Sequence, residues 1–231
     1  MCDIWTGQRN RPMRLLTVGM DERGEWIARN ACGQGEEDIF SLAQSGAVRD
    51  AGAELLYLTA GAGEYQKVAA LAERARRQGA LVLWNPGGLK NARLLPARGC
   101  VTLQSALKPE EELKALQELF CTPSLSTTLD RKALMQRLRG ASRGRLAMTQ
   151  ASGSEKNRSI AAGLAAQGWR MPREGTLVVS IGASVDCRLE EVVELWHGTV
   201  KQTRGMEVLW GSAFGLEQPD SLRLVLMAVE P

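Results

Sequence analysis

Three features of the sequence predict an α/β protein. The first is Glu54 to Asn85. It holds an apolar run, a small-residue turn (Ala60-Gly61-Ala62-Gly63), a helical pattern over Tyr65–Gln78 and a second apolar run over Ala80–Asn85. Parallel strands need a crossover of this kind, so Leu55 to Trp84 reads as a βαβ unit. The second is the order β-α-α-β-α-β before residue 86, which is a small α/β domain. The third is the half after residue 123. It carries four strand patterns separated by helical ones, which predicts an α+β layer sandwich.

Taken in order, residues 1–12 are polar and read as a frayed start. Met13 to Gly19 reads as the first strand. Met20-Asp21-Glu22-Arg23-Gly24 stands where a mononucleotide fold places its glycine-rich loop, but the stretch is acidic. Trp26–Ala31 and Ile39–Ala51 read as helices around a polar turn. Pro86-Gly87-Gly88 breaks the pattern, Asn91–Arg98 is a loop, and Gly99–Leu103 is a short strand. Pro109-Glu110-Glu111-Glu112 opens a helix with proline in its first turn and acids at its positive dipole end. It runs to about Cys121, with Leu113, Leu116, Leu119 and Phe120 on one stripe.

Thr122-Pro123-Ser124 divides the chain into domains 1–122 and 123–231. Ser126, Thr127 or Thr128 can cap a helix over Leu129–Arg139. Gly144–Gln150 reads as a strand, and Ser154 caps a helix to Gln167. Thr176–Gly182 is a strand and Leu189–Gln202 a helix. Met206–Trp210 and Leu222–Val229 are expected to close the fold as a long antiparallel pair.

Composition bounds the function. A hydrophobic fraction of 44% in 231 residues supports a real core. A net charge of +3 gives no electrostatic case for nucleic acid or a membrane surface. The cysteines Cys2, Cys32, Cys100, Cys121 and Cys187 show no metal or redox spacing, which reads as a reduced, cytoplasmic chain without a metal site. No signal peptide is evident, and no apolar run approaches the ~20 residues of a membrane helix, so direct membrane insertion is not expected.

Backbone N–H groups in the turn holding Gly61 and Gly63 would attract phosphate at a helix start. Glu64 follows at once and would repel it, so the turn reads first as an empty one. His197, the one histidine, has no nucleophile partner in sequence and reads as a packed or surface side chain. The cations from Arg131 to Arg145 are spread around their helix and read as a solvated face before a docking patch. Trp5, Trp26, Trp84, Trp169, Trp196 and Trp210 read as core or interface anchors. Asp186, Glu190 and Glu191 read as helix-start acids before metal ligands.

The second half resembles FtsZ of the FtsZ/tubulin superfamily. Gly175 to Glu191 is similar to the segment GVLVNITAG-DLRLDE, Val208 to Ala213 to VVIGTS, and Ser221 to Val229 to ELRVTVVAT. Upstream, Leu116 to Pro123 is similar to IAELITRP, and Ala151-Ser152-Gly153 with Glu155, Arg158, Ala161 and Ala162 to ASGEDRAEEAA. The set is collinear over residues 113–230. In the first half, Ala53–Gly61 resembles ADMVFVTAG and Ala72–Leu81 resembles AEVARELGAL. The phosphate signature GGGTGTG, which belongs between these two, is absent.

The resemblance implies a shortened Rossmann-like first half and a second half with a four-stranded sheet. It places a weak nucleotide site at Gly19, Thr59, Gly61 and Gly63. It lays Asp130 on one acid of the loop that completes the neighbouring subunit's GTPase, with Leu125, Thr127, Leu129 and Asp130 as interface residues. With the phosphate signature lost, the implied protein is a pseudo-GTPase. It has no catalytic residue beyond a degenerate Asp130 and no cofactor, and its partner is itself, another protein or a full-length FtsZ-like subunit. A polymerising GTPase that keeps GTP through a rebuilt loop is the alternative. The sequence ends at Pro231, just after its last strand, so an adaptor-binding tail of the FtsZ type is not expected.

Overall fold

The structure is a computed structural model, and it describes residues 15–19, 39–41, 54–59, 65–86, 100–120, 130–201, 203 and 206–230. Its strands are β1 (Leu15–Gly19), β2 (Ile39–Ser41), β3 (Leu55–Thr59), β4 (Leu81–Asn85), β5 (Cys100–Ser105), β6 (Arg143–Ser152), β7 (Thr176–Ala183), β8 (Glu207–Phe214) and β9 (Ser221–Glu230). Its helices are α1 (Tyr65–Arg77), α2 (Pro109–Phe120), α3 (Arg131–Arg139), α4 (Lys156–Ala166) and α5 (Leu189–Val200).

The nine strands form one sheet in the order β2-β1-β3-β4-β5-β6-β9-β7-β8. The first half is parallel throughout, as its βα connections require. The four strands expected in the second half lie side by side as β6-β9-β7-β8, with β9 antiparallel to both neighbours. The two halves share the sheet because β5 pairs parallel with β6, Thr102 opposite Arg143 and Ser105 opposite Leu146.

Three local expectations are corrected. Residues 39–41, expected to start a helix, form the strand β2 on the outer side of β1, with Thr17 opposite Ile39. In so short a segment, main-chain pairing to an existing edge overrides propensity. The last two strands are not partners: β8 runs parallel to β7, and β9 lies between β6 and β7. The reason is burial. β9 is apolar on both faces and nearly all of it is buried, which only a central position allows. Ser154 does not cap α4; Glu155 takes that position without a side-chain bond. The boundary at 122/123 lies outside the described residues.

Helices cover both faces. On one side Leu56, Leu58, Val82 and Trp84 pack against Val68, Leu71, Ala72 and Ala75 of α1, spaced as a helix face should be. On the other side Leu113, Leu116, Leu119 and Phe120 of α2 are fully buried, as the stripe predicted. They touch a cluster that runs from Leu55, Leu83 and Leu103 in the first half to Leu146, Val178 and Met227 in the second. α2 therefore lies over the seam between the halves. Each such side chain contributes about 1.5–3 kcal/mol of burial. α4 and α5 cover the opposite face of the second half, through Ile160, Val192 and Leu195.

Candidate functional site at the carboxyl edge of the parallel strands

The chain leaves β1 toward β2 on one side and returns to β3 on the other. The crevice outside the carboxyl ends of β1 and β3 is therefore a topological switch point, where open α/β sheets hold ligands. Gly19 ends β1, Thr59 ends β3 and Asn85 ends β4. Register places all three in one row, Gly19 opposite Thr59 and Thr59 opposite Asn85. The fold thus brings together two of the four residues expected at a nucleotide site. Gly61 and Gly63 lie outside the described residues. They belong to the connection from β3 to α1, residues 60–64, which is five residues long.

A buried carboxyl sits just beneath this row. Glu112, on the first turn of α2, is fully covered. It accepts the hydroxyl of Tyr57 at 2.9 Å and the side-chain amide of Asn85. Burial pushes its carboxyl up to about 7, although both donors favour the charged form. Burial and the neighbouring Glu112 hold the Tyr57 hydroxyl well above its ordinary range. Sequence position assigns Glu112 a helix-dipole role at the start of α2. A signal was present all the same: Glu112, Leu116 and Leu119 recur at helical spacing, so this acid is in phase with the apolar stripe.

Asp130 is elsewhere. Its Oδ1 accepts the N–H of Ala133 at 2.9 Å and caps α3, so an exposed carboxylate serves the first turn. α3 lies under the amino edge of the sheet. There Arg137 Nη2 meets Glu207 at 2.9 Å, at the start of β8, and Arg139 donates to the Gly79 carbonyl at 3.3 Å, just ahead of β4. One chain therefore does not join Asp130 to Gly19 and Thr59. Leu125, Thr127 and Leu129 lie outside the described residues.

The basic stretch is engaged piecemeal. Arg137 pairs with Glu207, and Arg145 with Glu230, while Lys132 points to solvent. Hydrogen bonds from Arg137 hold the Glu207 carboxyl below its usual range. Two of the described cations of this stretch are thus spent in ion pairs.

Glu190 and Glu191 stand in the first turn of α5, as expected of helix-start acids, and Glu191 has a second use. Lys156 is almost wholly buried, and its ammonium lies 2.8 Å from Glu191 and against Asp220. Cys187, Glu191 and Asp220 have donor atoms within 4.8 Å of one another, so the ammonium stands where a cation would. Asp186 accepts the Asp220 N–H with both oxygens, at 3.0 and 2.9 Å, and Glu191 accepts the Arg188 N–H at 3.0 Å. His197 is exposed on α5, and its neighbour Trp196 stacks on Trp210 with ring centres 4.7 Å apart. No helix among the described residues is long and apolar enough to cross a membrane.

No family model and no curated protein sequence matches this chain. Solved structures do. An FtsZ dimer from M. jannaschii, described as empty, aligns with a TM-score of 0.72 at 11% identity, over 96% of this chain and 89% of that one. The GDP-bound CetZ1 monomer of Haloferax volcanii gives 0.62 at 12% identity, over 94% of each chain. TubZ of Bacillus thuringiensis serovar israelensis, in GDP-form protofilaments, gives 0.62 at 11% identity, over 98% and 88%.

Proposed function

We propose that this chain, whose fold is FtsZ/tubulin-like, is a cytoskeletal or scaffold protein that works by self-association or by binding a protein partner, without hydrolysing GTP. The observation that carries this reading is the five-residue connection between β3 and α1. Only Ala60-Gly61-Ala62-Gly63-Glu64 stands in sequence between Thr59 and α1, where the resemblance calls for the longer GGGTGTG. A sequence with two glycines and an acid in place of that signature offers phosphate fewer N–H donors and an unfavourable charge. Asp130, at the opposite edge, is engaged as a helix cap. The FtsZ and TubZ structures of similar fold are a dimer and protofilaments, which supports association as the property of this chain. A head-to-tail contact would carry the amino edge of one copy, with Asp130, onto the carboxyl edge of the next. A full-length FtsZ-like subunit fits as partner on the same ground.

The test is light scattering over a concentration series with and without GTP, with phosphate release followed in parallel. Association that ignores GTP, with no release above a buffer control, is expected. Assembly that requires GTP, or turnover abolished by Asp130→Ala, establishes the alternative, a polymerising GTPase with a rebuilt loop.

A further inference from the structure

The sheet ends differently on its two sides. One outer strand, β2, is three residues long. The other, β8, has eight residues and no proline. Short strands, charges and prolines are the usual guards of a sheet edge. β8 carries one charge, Glu207, already held by Arg137 and by the Thr176 hydroxyl at 3.0 Å. Among the described residues, no strand lies on its outer side.

Beside this edge runs an apolar stripe. Leu189 and Val193 share a face of α5 with Trp196. Leu189 is 66% exposed, Val193 42%, and Val185 in the preceding turn 85%. The Trp196–Trp210 stack ties the stripe to β8, and Trp210 is itself 38% exposed. These are the four exposed large hydrophobic side chains among the described residues, and they are gathered on α5, its lead-in turn and β8. Apolar surface gathered in this way marks an interaction site.

We infer that this face joins two copies of the chain about a two-fold axis, β8 pairing antiparallel with β8 and α5 packing antiparallel on α5. The inference rests on the self-association reading and adds to it a second, isologous contact. A rotation about an axis normal to the sheet reverses strand and helix together, so both pairings form at once. Charge favours a copy of this chain over a foreign partner. Glu190 lies near the start of α5 and Lys201 just past its end, both exposed. Antiparallel packing brings the Glu190 end of one helix to the Lys201 end of the other. Glu194 is drawn away toward α4, where it accepts the Asn157 amide at 3.0 Å. Two strands backed by two helices offer a continuous two-layer contact, the build of stable interfaces that bury about 1,600 Å².

The experiment uses the full chain with Leu189→Glu, Val193→Glu and Val193→Cys. The first two alter exposed side chains, and circular dichroism checks that they fold. Each is expected to weaken association at least ten-fold by sedimentation. A residue near a two-fold axis meets its own copy, so Val193→Cys is expected to give a disulfide dimer beyond the level set by the native cysteines. A head-to-tail contact never places a residue against itself. Association with no Val193→Cys dimer, and unchanged by the two glutamates, overturns the two-fold contact and leaves self-association standing. A chain monomeric at every concentration overturns both.

Discussion

The Tyr57 hydroxyl on β3 donates to the Glu112 carboxyl on α2 across 2.9 Å, and neither side chain reaches solvent. A strand of the first half is thereby bound to the helix that covers both halves. The carboxyl is half ionised near neutrality, since burial raises it from 4.5 to about 7.

Stability should therefore fall as pH rises. A carboxyl whose folded value is raised contributes stability that is whole below its unfolded value, about 4.5, and is lost through about 7. The span is on the order of 3 kcal/mol. Glu191 and Glu207, held low by their partners, act in the other direction, but below about 4.5. Denaturant titrations at pH 5, 6, 7 and 8 should show a decline that Glu112→Gln removes. A wild-type curve that stays flat or rises across this range contradicts the assignment.

Leu116 is fully buried on the seam, in contact with the core that spans both halves. Leu116→Ala should cost about 2–5 kcal/mol. Glu118 lies on the same helix and accepts the Ser180 hydroxyl at 2.9 Å, with Arg223 Nε at 2.8 Å. Because these partners belong to the second half, Leu116→Ala should lower one shared transition. A variant that melts like the wild type, or one that splits the melt into two steps, refutes the placement of α2.

Lys156 neutralises Glu191 and Asp220 from within the fold. Lys156→Met keeps the stem volume and strips the charge. It should cost about 1–3 kcal/mol, less than the about 3–5 for a wholly buried pair, because both acids keep some contact with water. Adding Asp220→Asn to Lys156→Met should recover part of that loss. Strictly additive losses in a double-mutant cycle argue against the pairing.

Gly175 takes a φ of +104°, and a Cβ there would come 2.2 Å from the Val229 carbonyl oxygen. Gly153 has a φ of +84° with open space around it. Gly153→Ala should cost about 1 kcal/mol of backbone strain. Gly175→Ala adds a clash with the backbone of β9 and should lose at least about 3 kcal/mol. Equal melting temperatures for the two variants would show that the approach of residue 175 to β9 is misplaced.

The sequence by itself determined the longer elements and the apolar faces of β3, β4, α1 and α2, but not β2. The alternation of period through Leu55–Asn85 gave β3, α1 and β4, and the stripe Leu113, Leu116, Leu119 and Phe120 gave the buried face of α2. It also carried the FtsZ-like order of motifs, because these follow local turn and strand chemistry. Tertiary structure alone decided what covers each face. Periodicity states that β9 is apolar, but not that it lies between β6 and β7. It states that Glu112 is in phase with leucines. It does not state that Tyr57, 55 residues away, meets Glu112 in the interior. Ser154 has the chemistry of a cap, yet Glu155 takes that position, and Lys156 is buried because Asp220, 64 residues further on, meets its ammonium. The free energy of such pairs depends on desolvation, and desolvation is a property of what surrounds a residue in space rather than in sequence.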